Sequence, residues 1–382
     1  MIYCDNGATS HPKPPQMLQK MIHFSNEVGG SPGRSGHTVS MEAERVAFGT
    51  RSALAQLFNI ADPQQIAFTK NVTEALNYAI QTNLKPGDHV LTTSVEHNSV
   101  MRPLRHMEAN GVELAVVDCD PQGFCSPEKI RESIRPNSKM VVINHASNVV
   151  GTIQDAAAIG ALCREKNLLF VVDAAQSAGV IPIDVCAMNI DFLCFTGHKG
   201  LLGPTGTGGV YVNPALTIRP FMFGGTGSNS EFETQPTVMP DIWESGTMNI
   251  IGVAGLGGSL DFLTAEGIEK IHRHEIELTQ FFVDELLKID GVTVYGPLDA
   301  AKKTAVTSIN IEGVVCSEVG DILDRAFGIM TRTGLHCAPS AHKTIGTFPK
   351  GTVRFGFSCF TTMDEVKQVL KAVKEISAAS RE

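Results

Sequence analysis

The chain has no basic tract, no Cys-x-x-Cys pair, no low-complexity linker and no internal repeat. Without a basic tract, and with a formal net charge of -9, it is not a binder of nucleic acid or of an anionic membrane surface through charge. No apolar run approaches the roughly 20 residues that a bilayer span needs. The start, Met1-Ile2-Tyr3-Cys4-Asp5-Asn6, lacks the basic and apolar regions of a signal peptide, so a cytoplasmic protein is expected. The nine cysteines are odd in number and scattered, which argues against a disulfide framework, and no metal site is expected. Cys163, Cys186 and Cys194 lie in apolar strand-like or helix-like runs and read as buried, reduced thiols. Only Cys337 stands apart.

What is present is ordinary for a globular enzyme: 43% hydrophobic and 19% charged residues, in 382, enough for a substantial core and more than one lobe. From about residue 56 to 212, short β-branched runs (88–93, 112–117, 139–144, 168–173, 191–195, 208–212) alternate with helical stretches (73–82, 97–109, 126–134, 155–166). That alternation predicts an α/β lobe with a largely parallel sheet covered on both faces. An amphipathic helix is expected over 37–58. After Gly224-Gly225 the texture becomes loop-like. A long helical region over 249–290, broken near Gly267, follows. Strands at 292–295, 305–311 and 353–357 and helices at 316–326 and 363–378 then predict a smaller α+β lobe.

The chemistry-bearing residues fall in loops near predicted strand ends, where open α/β sheets bind ligands. Val72-Thr73 opens a helix after a strand ending near Phe68, with Thr73 a good cap, and a helix N-terminus suits a phosphate. His97 can stack on a flat ring, and Asn148 can hydrogen-bond a ring hydroxyl or a carboxylate. Taken singly, these segments read equally well as a capping turn, a loop histidine and an Asx turn. The apolar run ending in Asp173, with Gln176 beyond it, can set a carboxylate against a pyridinium nitrogen. Lys199, in Thr196-Gly197-His198-Lys199-Gly200, is placed to form a Schiff base if desolvation strips its proton. In Arg332-Thr333-Gly334-Leu335-His336-Cys337-Ala338-Pro339, the positive neighbours Arg332 and His336 favour a Cys337 thiolate. Arg354, inside an apolar strand, needs an anion, which a substrate carboxylate or an internal ion pair can supply.

These residues together resemble the class V, fold-type I enzymes that use pyridoxal 5'-phosphate, in particular the cysteine desulfurase and selenocysteine lyase family. The resemblance runs from Tyr3-Cys4-Asp5-Asn6-Gly7-Ala8-Thr9 to the C-terminal helix. It is strongest at Glu96-His97, Asp173-Ala174-Ala175-Gln176, Thr196-Gly197-His198-Lys199 and the Arg332–Ala338 loop, which is similar to the short-cysteine-loop branch. It implies a large cofactor-binding α/β domain over 13–255, with a mostly parallel seven-stranded-type sheet flanked by helices, and a small α+β domain from 1–12 and 256–382. It implies Lys199 as the Schiff-base and proton-moving lysine, Asp173 on the ring nitrogen, His97 stacked on the ring and Gln176 at the ring hydroxyl. Thr73, Thr196, His198 and the Val72 backbone would hold the phosphate, with Thr247 reaching the phosphate of a second subunit in a homodimer. Asn148, Arg332 and Arg354 would hold the substrate, and Cys337 would accept its sulfur. The implied activity converts L-cysteine to L-alanine and a persulfide on Cys337, with a sulfur-acceptor protein downstream. L-selenocysteine cleavage, another class V lyase or transaminase activity, and a non-catalytic scaffold are the alternatives. No nucleic-acid or membrane partner is expected.

Overall fold

The computed structural model describes residues 1–33, 36–228 and 231–381. The chain opens with β1 (Ile2–Tyr3), α1 (Pro15–His23) and α2 (Thr38–Leu57). A run of strands and helices follows: β2 (Ile66–Thr69), α3 (Val72–Gln81), β3 (His89–Thr93), α4 (Asn98–Ala109), β4 (Glu113–Val117) and α5 (Pro127–Ser133). It continues through β5 (Ser138–Asn144), α6 (Ala156–Lys166), β6 (Leu169–Asp173), β7 (Phe192–Thr196) and β8 (Gly208–Val212). Two long helices, α7 (Ile250–Glu266) and α8 (Ile268–Leu286), lead to β9 (Val292–Tyr295), β10 (Val306–Ile311) and α9 (Cys316–Phe327). The chain ends with β11 (Ile329–Met330), β12 (Arg332–Gly334), α10 (Pro339–Thr344), β13 (Thr352–Gly356) and α11 (Met363–Ala379).

The seven-stranded sheet has the order β2-β8-β7-β6-β5-β3-β4. Only β8 runs against its neighbours, and the other pairings are parallel. Successive side chains of a strand point to opposite faces. Here both sets are apolar: Leu91, Val141, Phe170 and Leu193 enter one core, and Val90, Val142, Val171 and Phe192 the other. A strand buried on both faces reads as a continuous apolar run, which is how β5, β6 and β7 read. The smaller sheet, β12-β13-β10-β9, is antiparallel, and its core includes Ile309, Phe355, Leu323 and Val373. β1 pairs in parallel with β11. Among the described residues no helix is long and apolar enough to cross a membrane.

The expected elements form with edges shifted by a residue or two, except that the long helical region expected to 290 stops at Leu286. The cap of α3 differs: Asn71, not Thr73, is the N-cap, its side chain accepting the Glu74 N–H at 3.1 Å, and Thr73 lies exposed one position inside the helix. β1, β11, β12 and α10 are too short for a periodic signature and are held by pairing across the fold. Cys186, expected to be buried, is exposed in a turn after β6, because the run around it is not an element at all.

Candidate active site

Parallel strands deliver their carboxyl ends to one edge of the sheet, and the predicted residues gather there. One cavity is walled by Val72, His97, Asn148, Asp173, Gln176 and Lys199. Asp173 ends β6 and is buried, with Oδ1 accepting the Ala175 N–H at 2.9 Å and Oδ2 the Ser99 hydroxyl at 3.3 Å. Burial pushes its pKa up, opposed by the Ala175 N–H and by Lys199. This is a carboxylate short of positive charge, and a protonated ring nitrogen would supply it.

Lys199 follows β7 after a Gly-His turn. Loss of hydration pulls its pKa down to about 8, with Arg354 and Arg332 acting in the same direction and Asp173 against them. A free amine is therefore within reach near neutral pH. His97 caps α4: Nδ1 accepts the Ser99 N–H at 3.0 Å and lies 2.8 Å from Ser99 Oγ. Burial, then Lys199 and three arginines, pulls its pKa to about 4, so the ring that lines the cavity is neutral near pH 7. Ser99, which ties His97 to Asp173, escaped the sequence reading. Its signal was a serine two places into a helix capped by histidine.

Four of the residues expected to hold the cofactor lie outside this wall. Thr196 is buried at the end of β7, its hydroxyl 3.4 Å from the Thr207 carbonyl oxygen. The His198 carbonyl accepts the Thr9 hydroxyl at 3.1 Å and the Lys13 amine at 2.9 Å, and burial pulls its imidazole pKa to about 4. Its buried Nδ1 has no partner among the described residues. Thr73 is exposed at the start of α3, and Thr247 is exposed beside Lys70 and Glu74 in a separate hollow.

The substrate side of the site is built by the small sheet. Arg332 on β12 and Arg354 on β13 are direct cross-strand partners. Arg354 is fully buried, with Nη2 2.7 Å from Asp5 Oδ1 and Nη1 donating to the Asn148 carbonyl at 3.0 Å, while its Nε has no partner. The internal ion pair thus exists, and Asp5 provides it. A Cβ at Gly7 would lie 3.0 Å from Arg354 Cζ, so a side chain there would crowd the guanidinium. Asn148 donates from Nδ2 to the His336 carbonyl at 2.7 Å and leaves Oδ1 unpaired, and Gln176 donates to the Gly7 carbonyl at 2.8 Å.

Cys337 is exposed, 3.2 Å from Arg332 Nη2. Both His336 and Cys337 adopt left-handed backbone, φ 47° and 58°, unusual for residues with side chains. The loop is anchored where the Cys337 carbonyl accepts the Asn98 N–H at 2.8 Å, one residue from His97. His336 is corrected as a source of positive charge. It is buried, its Nε2 lies 3.0 Å from Thr352 Oγ1, and burial pulls its pKa to about 2. Arg332 alone in that loop presents a cation to the thiol.

The residues fit a pyridoxal phosphate. Asp173 makes no direct ion pair among the described residues, Asn148 Oδ1 and His198 Nδ1 are orphaned, and the Val72 and Thr73 N–H groups, in the first turn of α3, make no backbone bond among the described residues. An aminotransferase class-V family model matches residues 2–369. A probable cysteine desulfurase of Methanothermobacter thermautotrophicus is 33% identical, covering 98% of this chain and 94% of its own. The cysteine desulfurase IscS of Vibrio campbellii is 32% identical, covering 98% and 92%. The apo structure of a cysteine desulfurase from Thermococcus onnurineus superposes with a TM-score of 0.92 at 31% identity, covering 99% of this chain and 95% of that one.

Proposed function

The chain belongs to the aminotransferase class-V family, and we propose that it is a pyridoxal-phosphate-dependent cysteine desulfurase, releasing L-alanine from L-cysteine and holding the sulfur as a persulfide on Cys337. The observation that carries this reading is the pairing of Arg332 with Arg354 across two strands, with one carboxylate, Asp5, between them and the Cys337 thiol 3.2 Å from Arg332. Two guanidinium groups with a single protein anion leave room for a substrate carboxylate. A thiol at the same spot is placed for the sulfur of that substrate.

Bound cofactor supplies the electron sink that loosens the bonds at the substrate's Cα and Cβ. The protein does the rest. Lys199 Nζ holds the cofactor and takes the α-proton, which its lowered pKa allows near neutrality. Asp173 would keep the ring nitrogen protonated, His97 would cover the ring face and Gln176 would serve its hydroxyl. The α3 N-terminus with Thr73, Thr196 and His198 would hold the phosphate. Exposed Thr247 is offered to the phosphate site of a second copy, which makes the working unit a homodimer. Asn148 Oδ1, Arg332 and Arg354 orient the substrate. The Cys337 thiolate then forms the S–S bond as the substrate's Cβ–S bond breaks. An exposed Cys337 can pass its sulfur to an acceptor protein, and nine unpaired cysteines suit a reducing cytoplasm.

Mass spectrometry after L-cysteine tests the reading. Wild type should gain one sulfur on the peptide that holds Cys337, with alanine released in step. A sulfur gain of equal size in Cys337→Ala would remove Cys337 from the role.

A further inference from the structure

A second pair of thiols lies away from Cys337 and the cofactor cavity. Beyond β4 the chain turns through Asp120-Pro121-Gln122-Gly123-Phe124 and doubles back. Asp120 N–H donates to the Phe124 carbonyl at 2.9 Å and Gly123 N–H to the Asp120 carbonyl at 2.8 Å. Asp120 Oδ1 accepts the Gln122 and Phe124 N–H groups, each at 2.9 Å. The Asp120–Phe124 backbone bond closes the neck of the turn, and Cys119 and Cys125 flank it on the two arms. Cys119 packs against the core cluster that contains Cys125. A disulfide needs Cα atoms ~4.4–6.8 Å apart.

The neck of the turn is held from outside as well. The Cys125 N–H donates to Gln154 Oε1 at 2.9 Å, Gln154 Nε2 to the Gly123 carbonyl at 2.7 Å, and the Cys119 N–H to Ser94 Oγ at 3.0 Å. The thiols are unequal. Cys125 is buried, whereas Cys119 is only half-buried. The hydrogen bond from Cys125, helped by Ser94 and Thr93, pulls the Cys119 pKa below its ordinary value, while the same bond and burial push Cys125 up.

We propose that Cys119 and Cys125 are a reversible dithiol–disulfide modification site, with Cys119 meeting a small disulfide oxidant such as glutathione disulfide and Cys125 resolving the adduct. The Cys119 thiolate attacks one sulfur of the oxidant, forming a mixed disulfide and expelling a glutathione thiolate, which takes up a proton. Cys125 loses its proton to solvent and attacks Cys119 Sγ, expelling the second glutathione. Two protein thiols are oxidised and one glutathione disulfide is reduced to two thiols. The site sits behind the sulfur-accepting loop: Thr344 of α10 donates to Ser94 Oγ at 2.9 Å, and Cys119 packs against the cluster that contains Ala338.

The test uses the full-length, cofactor-loaded protein carrying Cys337→Ala, so that the exposed thiol takes no part. It is equilibrated in glutathione buffers of rising oxidised fraction, alkylated with one reagent, reduced, alkylated with a second, and read by peptide mass spectrometry. Cys119 and Cys125 should gain the second label together and lose it after dithiothreitol. Cys119→Ser should leave Cys125 unoxidised, and Cys125→Ser should stop Cys119 at the glutathione adduct. Cys125→Ala replaces Cys125→Ser if circular dichroism shows the buried hydroxyl unfolding the protein. First label retained on both cysteines across the range, or Cys119 joined to a different cysteine, overturns the proposal.

Discussion

Asp173 and Lys303 show how single buried charges divide between function and cost. Asp173→Asn keeps the shape: the amide oxygen still accepts the Ala175 N–H, so the fold should survive, as circular dichroism will show. It loses the charge that holds a ring nitrogen protonated, and alanine release should fall ~100-fold or more. Lys303 is fully buried with no partner for its amine among the described residues, and burial pulls its pKa from 10.5 to about 7. Unfolded chain keeps the proton up to 10.5, so between about 7 and 10.5 the native state binds fewer protons and stability rises with pH. Lys303→Met should flatten that rise and add on the order of a few kcal/mol near neutrality. Denaturant titrations near pH 7 and near pH 9.5 would read both effects. The roles of Lys303 and Ser99 were not read from the chain, because each depends on what encloses the residue.

Among elements, the short strand β12 has the most to position and the least to hold it. It carries Arg332 and leads directly into Cys337, yet it is three residues long and rests on β13. Gly351 supports that contact with φ +79°, and a Cβ there would lie 2.5 Å from Gly334 C and O. Gly351→Ala should push β12 aside, costing ~1–3 kcal/mol. Persulfide yield should drop about 10- to 100-fold, since small misplacements of reacting groups are expensive. Cofactor absorbance should persist, because the large sheet builds that cavity. Full persulfide yield would show that β12 does not set the thiol's position. The long strands and helices were legible in the chain, since continuous apolar runs and 3.6-fold apolar periods are local. β1, β11, β12 and α10 were not, for they exist only through partners far along the chain.

At the level of the molecule, a band of exposed apolar side chains remains: Leu18 and Ile22 on α1, Phe48 on α2, Ile251 on α7, and Phe223 with Phe232 in the loop before it. Exposed apolar surface of this kind suits the interface that the proposed homodimer requires, and Thr247 lies in the segment between that loop and α7. Sedimentation velocity at micromolar concentration should give twice the 41.0 kDa chain mass. A stable monomer that turns over L-cysteine at the full rate would contradict a shared cofactor site.

Alternating apolar runs, with Asp173, Lys199 and Cys337 in the loops at their ends, were enough to set the fold class and the kind of chemistry, because periodicity and functional groups are written locally. Which groups meet was settled only by the folded chain. Arg354 finds Asp5 from nearly the far end, Ser99 bridges His97 to Asp173, His336 is turned inward and stripped of charge, and Arg332 takes its place beside the thiol. Charge state and partnership depend on desolvation and on contacts between distant segments, and neither is a property of neighbouring letters.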